Sequence, residues 1–180
     1  IQIHKKGSNV KVFSFNKKDI TDKCKKQVDE LKKKHFGDCT LDAELVGFKG
    51  EEPVHRVDVV THIFKKEVPE LELKAHVFDI MYHEDKIVAE EPLRERINIL
   101  FYQYSQHSTE NLAFPSKKDT RIADSTEEVN KYSEDIMDLP ASEGVVIKDI
   151  ESTYYVGIQK NPKWIKWKKF VDLDVVVLDK

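Results

Sequence analysis

Near the C-terminus, the run Lys163–Lys168 interleaves lysines with large hydrophobic residues, a pattern typical of a β-strand. In a strand, Lys166 and Lys168 would share one face, with about 7 Å between them, and Ile165 and Trp167 would face the core. Two neighbouring ammonium groups repel each other unless an anion such as a phosphate lies between them. The pattern also fits an edge strand whose lysines prevent unwanted pairing, so both interpretations stay open.

The stretch from Glu143 to Asp149 places an acid before a hydrophobic strand and a lysine, Lys148, near its end. A carboxylate near Mg²⁺ and a lysine near a phosphate are groups that nucleotidyl transfer requires. Strict alternation puts Glu143 and Lys148 on opposite faces of a strand. A joint role therefore requires Glu143 to precede the regular strand, or a bulge to intervene. A buried strand with charged ends is the alternative.

Two earlier stretches, Leu41–Val46 and His76–Ile80, contribute a carboxylate and an aromatic ring. Glu44 lies in an otherwise apolar strand, where an unpaired carboxylate is costly, so we expect it to have a partner or to face a cleft. A salt bridge to a nearby lysine explains the residue equally well. Phe78 could stack on a base, although an aromatic residue in a strand more often belongs to the core.

The elements that must position these residues are runs of strands separated by a few helices. Strands are predicted at Ile1–His4, Val10–Phe13, Cys39–Phe48, Val57–Phe64, Leu71–Tyr82, Gly144–Ile150, Trp164–Phe170 and Asp174–Leu178. Helices are predicted at about Thr21–Phe36 and Leu93–Gln106, and a third opens at the capping-box pattern Ser125–Glu128 and buries Val129, Tyr132 and Ile136. This order favours an α+β fold with largely antiparallel sheets, and the sequence contains no glycine-rich phosphate loop.

Composition sets broad limits on the kind of protein. A chain of 180 residues fits one domain, and 39% hydrophobic with 35% charged residues is typical of a globular protein. No apolar run reaches the length of a membrane span, so we expect no membrane partner. Cys24 and Cys39 are too few for a disulfide framework, so we expect a location in the reducing cytoplasm. A net charge of −3 argues weakly against a protein that simply coats nucleic acid, but it is compatible with a local basic groove.

The order of the blocks QIHK, LDAELV, FDI, EGVVIK and KWIKWK resembles the successive motifs of ATP-dependent DNA ligases. The resemblance covers nearly the whole chain, and EGVVIK followed by WIKWK is its most specific part. It implies the nucleotidyltransferase (ATP-grasp-like) fold, an α+β fold of two largely antiparallel β-sheets with flanking helices and ATP between them. It also implies a single adenylation domain over residues 1–180. RNA ligases and capping enzymes share a looser version of this order.

The resemblance implies a role for each candidate residue. Phe78 would stack on adenine, Glu44 would contact the ribose or the metal region, and Glu143 would position a divalent metal, Mg²⁺ or Mn²⁺. The α-phosphate of ATP would be held and neutralised by Lys148, Lys166 and Lys168. The substrate would be nicked double-stranded DNA, sealed by lysine adenylation, AMP transfer to a 5′-phosphate and attack of the adjacent 3′-hydroxyl.

Three departures from the ligase pattern change what we expect of residues 1–180. The family's nucleophilic lysine lies in a K-x-D-G-x-R motif directly before QIH, and these residues contain no such motif. They also stop about where an OB-fold domain usually begins, so we expect no self-adenylation unless a further segment or a second chain supplies both parts. Phe15 follows Ser14 where an arginine is usual. A non-catalytic domain that binds ATP or nicked DNA with a partner chain is the alternative.

Overall fold

The computed structural model describes residues 1–65, 71–117, 120–138, 142–155 and 163–169. The chain divides into two compact units, residues 1–120 with 150–157 and residues 121–149 with 158–180. The first unit contains a seven-stranded sheet, and the second contains a two-stranded sheet. The single adenylation domain expected over residues 1–180 stays a prediction.

The first unit is built on a largely antiparallel sheet. Its strands are β1 (Gln2–Lys6), β2 (Asn9–Phe13), β3 (Cys39–Lys49), β4 (Glu52–Pro53), β5 (Glu72–His83), β6 (Lys86–Ile87) and β7 (Leu112–Ala113). They follow the order β2-β1-β3-β5-β6, with β4 paired to β3 and β7 running parallel to β5. The two predicted N-terminal strands are confirmed and pair antiparallel as a hairpin, and the two long strands β3 and β5 are confirmed as well.

Strand β3 lies inside this sheet, and its side chains alternate between two environments. Leu41, Ala43 and Leu45 are buried, because they belong to the core that helix α1 (Lys25–Lys32) covers. Asp42 is half-buried and Glu44 is exposed. The two-residue period of a strand therefore places both carboxylates on the face turned away from that core.

The helix predicted at residues 21–36 is shorter in the structure. A 3₁₀ turn, Thr21–Lys23, precedes α1, which ends at Lys32. The strand predicted at Val57–Phe64 is wrong, because these residues lie in helix α2 (Arg56–Phe64).

The local signal at α2 is dominated by β-branched residues, which favour strands. Tertiary packing overrides it, because Val59 and Ile63, one helical turn apart, are both buried. His55 also caps the helix, since its Nδ1 accepts a hydrogen bond from the N–H two residues later at 3.3 Å.

The helix predicted from Leu93 is confirmed. Helix α3 (Leu93–Ile99) continues through a π turn, Leu100–Tyr104, and a 3₁₀ turn, Ser105–His107. Pro92 occupies its N-cap, a position at which a helix requires no N–H donor. The whole helical stretch therefore ends within one residue of the predicted position.

The second unit contains helix α4 (Thr126–Met137) and strands β8 (Gly144–Lys148) and β9 (Trp164–Lys168). Ser125 caps α4 as predicted, because its Oγ accepts a hydrogen bond from the Glu128 N–H at 3.2 Å. The strand predicted at Asp174–Leu178 lies outside the described residues.

The face of α4 predicted to be buried is covered only in part. Ser133 is the buried residue of this helix, whereas Val129, Tyr132 and Ile136 are half-buried. A helix packed against a two-stranded sheet has a narrower contact than one packed against a broad sheet, so its apolar residues stay partly in solvent. Among the described residues, every helix is too short or too polar to cross a membrane.

Candidate functional site

Strands β8 and β9 pair antiparallel and bring three lysines to one face of the two-stranded sheet. In their register, Gly144 lies opposite Lys168, Val146 opposite Lys166, and Lys148 opposite Trp164. Residues directly opposite in an antiparallel pair lie on the same face. Lys148, Lys166 and Lys168 therefore form what we call the lysine face. The Lys148 Nζ lies 4.1 Å from the centroid of the Trp164 ring, a cation–π contact.

The lysine face carries three positive charges and, among the six residues in its register, no acid. Neighbouring lysines on such a face are about 7 Å apart at their Cα atoms. Lys166 and Lys168 are exposed, so their ammonium groups can approach a ligand. Because like charges at this spacing repel, an anion placed between them would be stabilised by all three.

Gly144 sets how closely β8 approaches β9. Its φ is +142°, and a Cβ there would lie 2.2 Å from the Trp167 carbonyl oxygen and 2.7 Å from the Lys168 Cα. Only glycine fits such an approach. Glu143 lies just before the regular strand, and its carbonyl oxygen accepts a hydrogen bond from the Lys169 N–H at 3.2 Å. This position meets the condition that the sequence set for a joint role of Glu143 with the lysines, and the role itself stays a prediction.

An ion pair closes the other end of this sheet. The Lys163 Nζ lies 2.8 Å from the Asp149 Oδ2, and the Asp149 N–H donates to the Lys163 carbonyl oxygen at 2.9 Å. The hydrogen bond to Asp149, together with its negative charge, raises the pKa of Lys163. Contacts between flanking residues thus hold both ends of the strand pair.

The expectation that Ile165 and Trp167 face a core is wrong. Their side chains are 60% and 38% exposed. In the described part of the chain, α4 packs mainly against β8. A two-stranded sheet covered along one strand leaves the apolar side chains of the other strand in solvent.

In the first unit, Glu44 lies on β3 directly opposite His76 of β5, and both residues are exposed. Among the described residues, Glu44 takes part in no ion pair. The alternative interpretation of Glu44, a salt bridge to a nearby lysine, is therefore not supported among these residues. An exposed carboxylate on the face turned away from the core is accessible to a ligand.

Phe78 lies at a bulge in β5. Its neighbours Val77 and Asp79 pair with Ala43 and Asp42, so the register passes over Phe78. The residue is half-buried, which excludes it from the fully buried core. Bulges often change the direction of a side chain next to a functional site. Stacking of Phe78 on a base stays a prediction.

The sequence did not identify Asp42 and Tyr154 as a pair. The Tyr154 hydroxyl donates a hydrogen bond to the Asp42 Oδ2 at 2.8 Å, across 112 residues of chain. Burial raises the pKa of Asp42. Asp42 could have been found from the sequence, because it lies two residues before Glu44 in a strand whose side chains alternate between two faces. No local pattern could have predicted Tyr154, because the contact depends on the tertiary fold.

The described residues contain no cluster of three or more His, Cys, Asp or Glu side chains that could hold a metal ion. Glu44 and Glu143, the predicted metal ligands, belong to no such cluster among these residues. A divalent ion would therefore need oxygen atoms from a ligand in addition to a protein carboxylate. Mg²⁺ usually binds in this way, through one or two carboxylates and the phosphates of its substrate.

Solved structures of ligases share this fold. The ligase domain of LigD from M. tuberculosis matches with a TM-score of 0.66 and 14% identity, covering 93% of this chain and 49% of that chain. A mycobacterial DNA ligase D complexed with ATP and MES matches with a TM-score of 0.66 and 15% identity, covering 93% of this chain and 50% of that one. The predicted nucleotidyltransferase fold of DNA ligases is confirmed.

Sequence comparison identifies the family. The family described as ATP dependent DNA ligase domain matches residues 1–168. A DNA ligase of Archaeoglobus fulgidus is 30% identical over 184 residues, covering 99% of this chain and 32% of that ligase. A DNA ligase of Methanococcus aeolicus is 30% identical over 185 residues, covering 98% of this chain and 32% of that ligase. The chain thus spans about a third of the length of these relatives, and it belongs to the ATP-dependent DNA ligase domain family.

Proposed function

We propose that the protein binds ATP as the adenylation domain of a DNA ligase and that its lysine face holds the α-phosphate. The observation that carries this proposal is the common face of Lys148, Lys166 and Lys168. Each ammonium group offers three N–H donors, and charge-assisted hydrogen bonds to phosphate are among the stronger ones in proteins. ATP supplies the anion that relieves the repulsion between these lysines.

At the nucleoside end of ATP, Phe78 stacks on adenine and Glu44 contacts the ribose or the metal region. The bulge at Phe78 and its half-burial support the first role, since a stacking ring needs one accessible side. The exposure of Glu44 supports the second. Glu143, beside the lysine face, contributes a carboxylate to a divalent ion carried by the triphosphate. Mg²⁺ or Mn²⁺ bound there supplies further neutralisation of phosphate charge.

The proposed reaction seals nicked double-stranded DNA in three steps. A lysine attacks the α-phosphorus of ATP and releases pyrophosphate, AMP passes to a 5′-phosphate, and the adjacent 3′-hydroxyl displaces AMP. Such phosphorus chemistry depends on positioning and on charge neutralisation. The lysine face assists by stabilising negative charge on the α-phosphate and by depressing the pKa of a nearby nucleophilic lysine. Action on DNA implies an intracellular location.

The nucleophile must come from a K-x-D-G-x-R motif, which residues 1–180 do not contain. Two proteins test this point: the 180 residues, and the same residues with such a segment fused before Ile1 and an OB-fold domain fused after Lys180. With ATP labelled at the α-phosphate and Mg²⁺, we expect a covalent AMP adduct on the fusion alone. The fusion with its motif lysine changed to alanine is the matched control. An adduct on the unextended protein, or none on the fusion, contradicts the proposal.

A non-catalytic role with a partner chain is the second candidate function. Phe15 favours it, because this side chain is 76% exposed where the family usually has an arginine, and it cannot bind a phosphate by charge. Nick sealing by the same fusion, motif segment and OB-fold domain included, decides between the two. Sealed DNA nicks support the enzyme, binding of ATP or nicked DNA with neither adenylation nor sealing supports the non-catalytic role, and sealing of RNA alone identifies an RNA ligase.

A further inference from the structure

Residues 150–155 follow β8 closely in sequence but belong to the first unit. Their backbone bonds to the start of α3 and the turn before it are Leu93 N–H to Ser152 O at 2.8 Å, Arg94 N–H to Ile150 O at 3.0 Å, and Tyr154 N–H to Ala89 O at 2.8 Å. Hydrogen bonds at both ends and in the middle fix the path of this segment. The backbone position of Tyr154 is therefore fixed.

A buried guanidinium adds a fourth attachment. Arg96 is fully buried, and its Nη1 donates to the Ser152 carbonyl oxygen at 3.0 Å. The same side chain binds Asp79 on β5 through Nε and Nη2, at 2.8 and 3.0 Å. The segment is thus tied to the sheet strand that carries Phe78, the residue directly before Asp79.

The phenol of Tyr154 reaches β3 at Asp42. Its hydroxyl donates to the Asp42 Oδ2 at 2.8 Å in a half-buried setting. Asp42 and Glu44 lie on the same face of β3, two residues apart. Burial raises the pKa of Asp42, and the hydrogen bond from Tyr154 opposes that rise by stabilising the carboxylate. Tyr154 therefore stabilises the carboxylate form of Asp42, which shares this face of β3 with Glu44, the residue expected to contact the nucleotide.

We propose that Tyr154 is a positioning residue for the nucleotide site, because it fixes the Asp42 carboxylate and with it the part of β3 that presents Glu44. This inference rests on the proposed function, since it assumes that Glu44 contacts ATP. Tyr154 does not touch the nucleotide. It acts through Asp42, and the hydrogen-bonded path of residues 150–155 delivers its phenol to that carboxylate.

Changing Tyr154 to Phe removes the hydroxyl and keeps the ring in place. Asp42 then loses the hydrogen bond from the phenol, and this part of β3 is held less firmly. We expect the affinity for ATP to fall about fivefold to tenfold, the effect of losing one hydrogen bond. Tyr102→Phe is the matched control, because it removes the hydroxyl of a residue that is 67% exposed and that contacts Lys117.

A double-mutant cycle identifies the route of the effect. ATP affinity is measured by calorimetry, and unfolding by urea, for the unchanged protein, Tyr154→Phe, Asp42→Ala and the double variant. If Tyr154 acts through Asp42, Tyr154→Phe has no further effect on ATP affinity in the Asp42→Ala protein. Tyr102→Phe should bind ATP as the unchanged protein does.

The outcomes separate the inference from the proposed function. A fivefold or greater loss in Tyr154→Phe that vanishes in the Asp42→Ala background supports the inference. Coupling in the free energy of unfolding without coupling in ATP affinity means a merely structural role and overturns it, as does an additive loss of affinity. If the unchanged protein binds no ATP, both the proposed function and the inference are overturned. If it binds ATP and Tyr154→Phe binds it with the same affinity, the inference alone is overturned.

Discussion

Arg96 and Asp79 form a bidentate ion pair from which solvent is excluded. The Nε–Oδ1 distance is 2.8 Å, the Nη2–Oδ2 distance is 3.0 Å, and both side chains are 0% exposed. The pair joins α3 to β5, one residue after Phe78. Paired and hydrogen-bonded charges are tolerated in an interior, but a single unpaired charge is not.

Arg96→Met should therefore destabilise the protein strongly. It leaves the buried Asp79 carboxylate with a hydrogen bond from the Ile80 N–H at 2.8 Å but without its charged partner. Losing that partner lowers the free energy of unfolding by about 3–5 kcal/mol. Arg94→Met is the control, because the Arg94 ion pairs with Glu151 and Glu95 are half exposed and contribute less than about 1 kcal/mol. Urea unfolding measures both, and equal losses in the two variants would show that the buried pair has no special role.

Gly144→Ala should separate β8 from β9. A Cβ at this position would lie 2.2 Å from the Trp167 carbonyl oxygen, and the positive φ adds strain. We expect faster amide exchange in residues 144–148 and 164–168 and weaker ATP binding, because the lysine face depends on this register. Gly50→Ala is the control: φ is +64° but no atom lies within 4 Å of the new Cβ, so only about 1–2 kcal/mol of strain is expected. Unchanged exchange in Gly144→Ala would refute the close-approach argument.

The two cysteines should resist alkylation in the folded protein. Burial raises the pKa of Cys24 to about 11 and that of Cys39 to about 12. The nucleophile is the thiolate, and a raised pKa means that little thiolate is present at pH 8, with more only as the pH approaches those values. Mass spectrometry after iodoacetamide treatment at pH 8 should find both thiols intact in native protein and modified in urea. Modification of either thiol at the denatured rate would contradict their burial.

Alternation along β3 was readable from the sequence because one side of the strand packs on the core. Leu41, Ala43 and Leu45 are buried in strict alternation with Asp42 and Glu44. The Ser125 cap was readable for a related reason, since capping is a local hydrogen bond within four residues. Signals of this kind need no knowledge of the tertiary fold.

Other features depend on contacts that a local pattern does not contain. Helix α2 has β-branched residues but forms because Val59 and Ile63 find a core at helical spacing. The exposure of Trp167 depends on where α4 packs. The hydrogen bond between Tyr154 and Asp42 spans 112 residues. The lysine face lies between these cases: strand periodicity placed Lys166 with Lys168, but only the register with β8 added Lys148.

ATP affinity of lysine variants tests the central claim most directly. Lys166→Ala and Lys168→Ala each remove a charged donor from the lysine face, whereas Lys32→Ala removes an exposed lysine of α1 near Asp29. By calorimetry, we predict a loss of about 10- to 100-fold in ATP affinity for each of the first two variants and no change for Lys32→Ala. Equal ATP affinity in all three variants would contradict the assignment of this face to the phosphates.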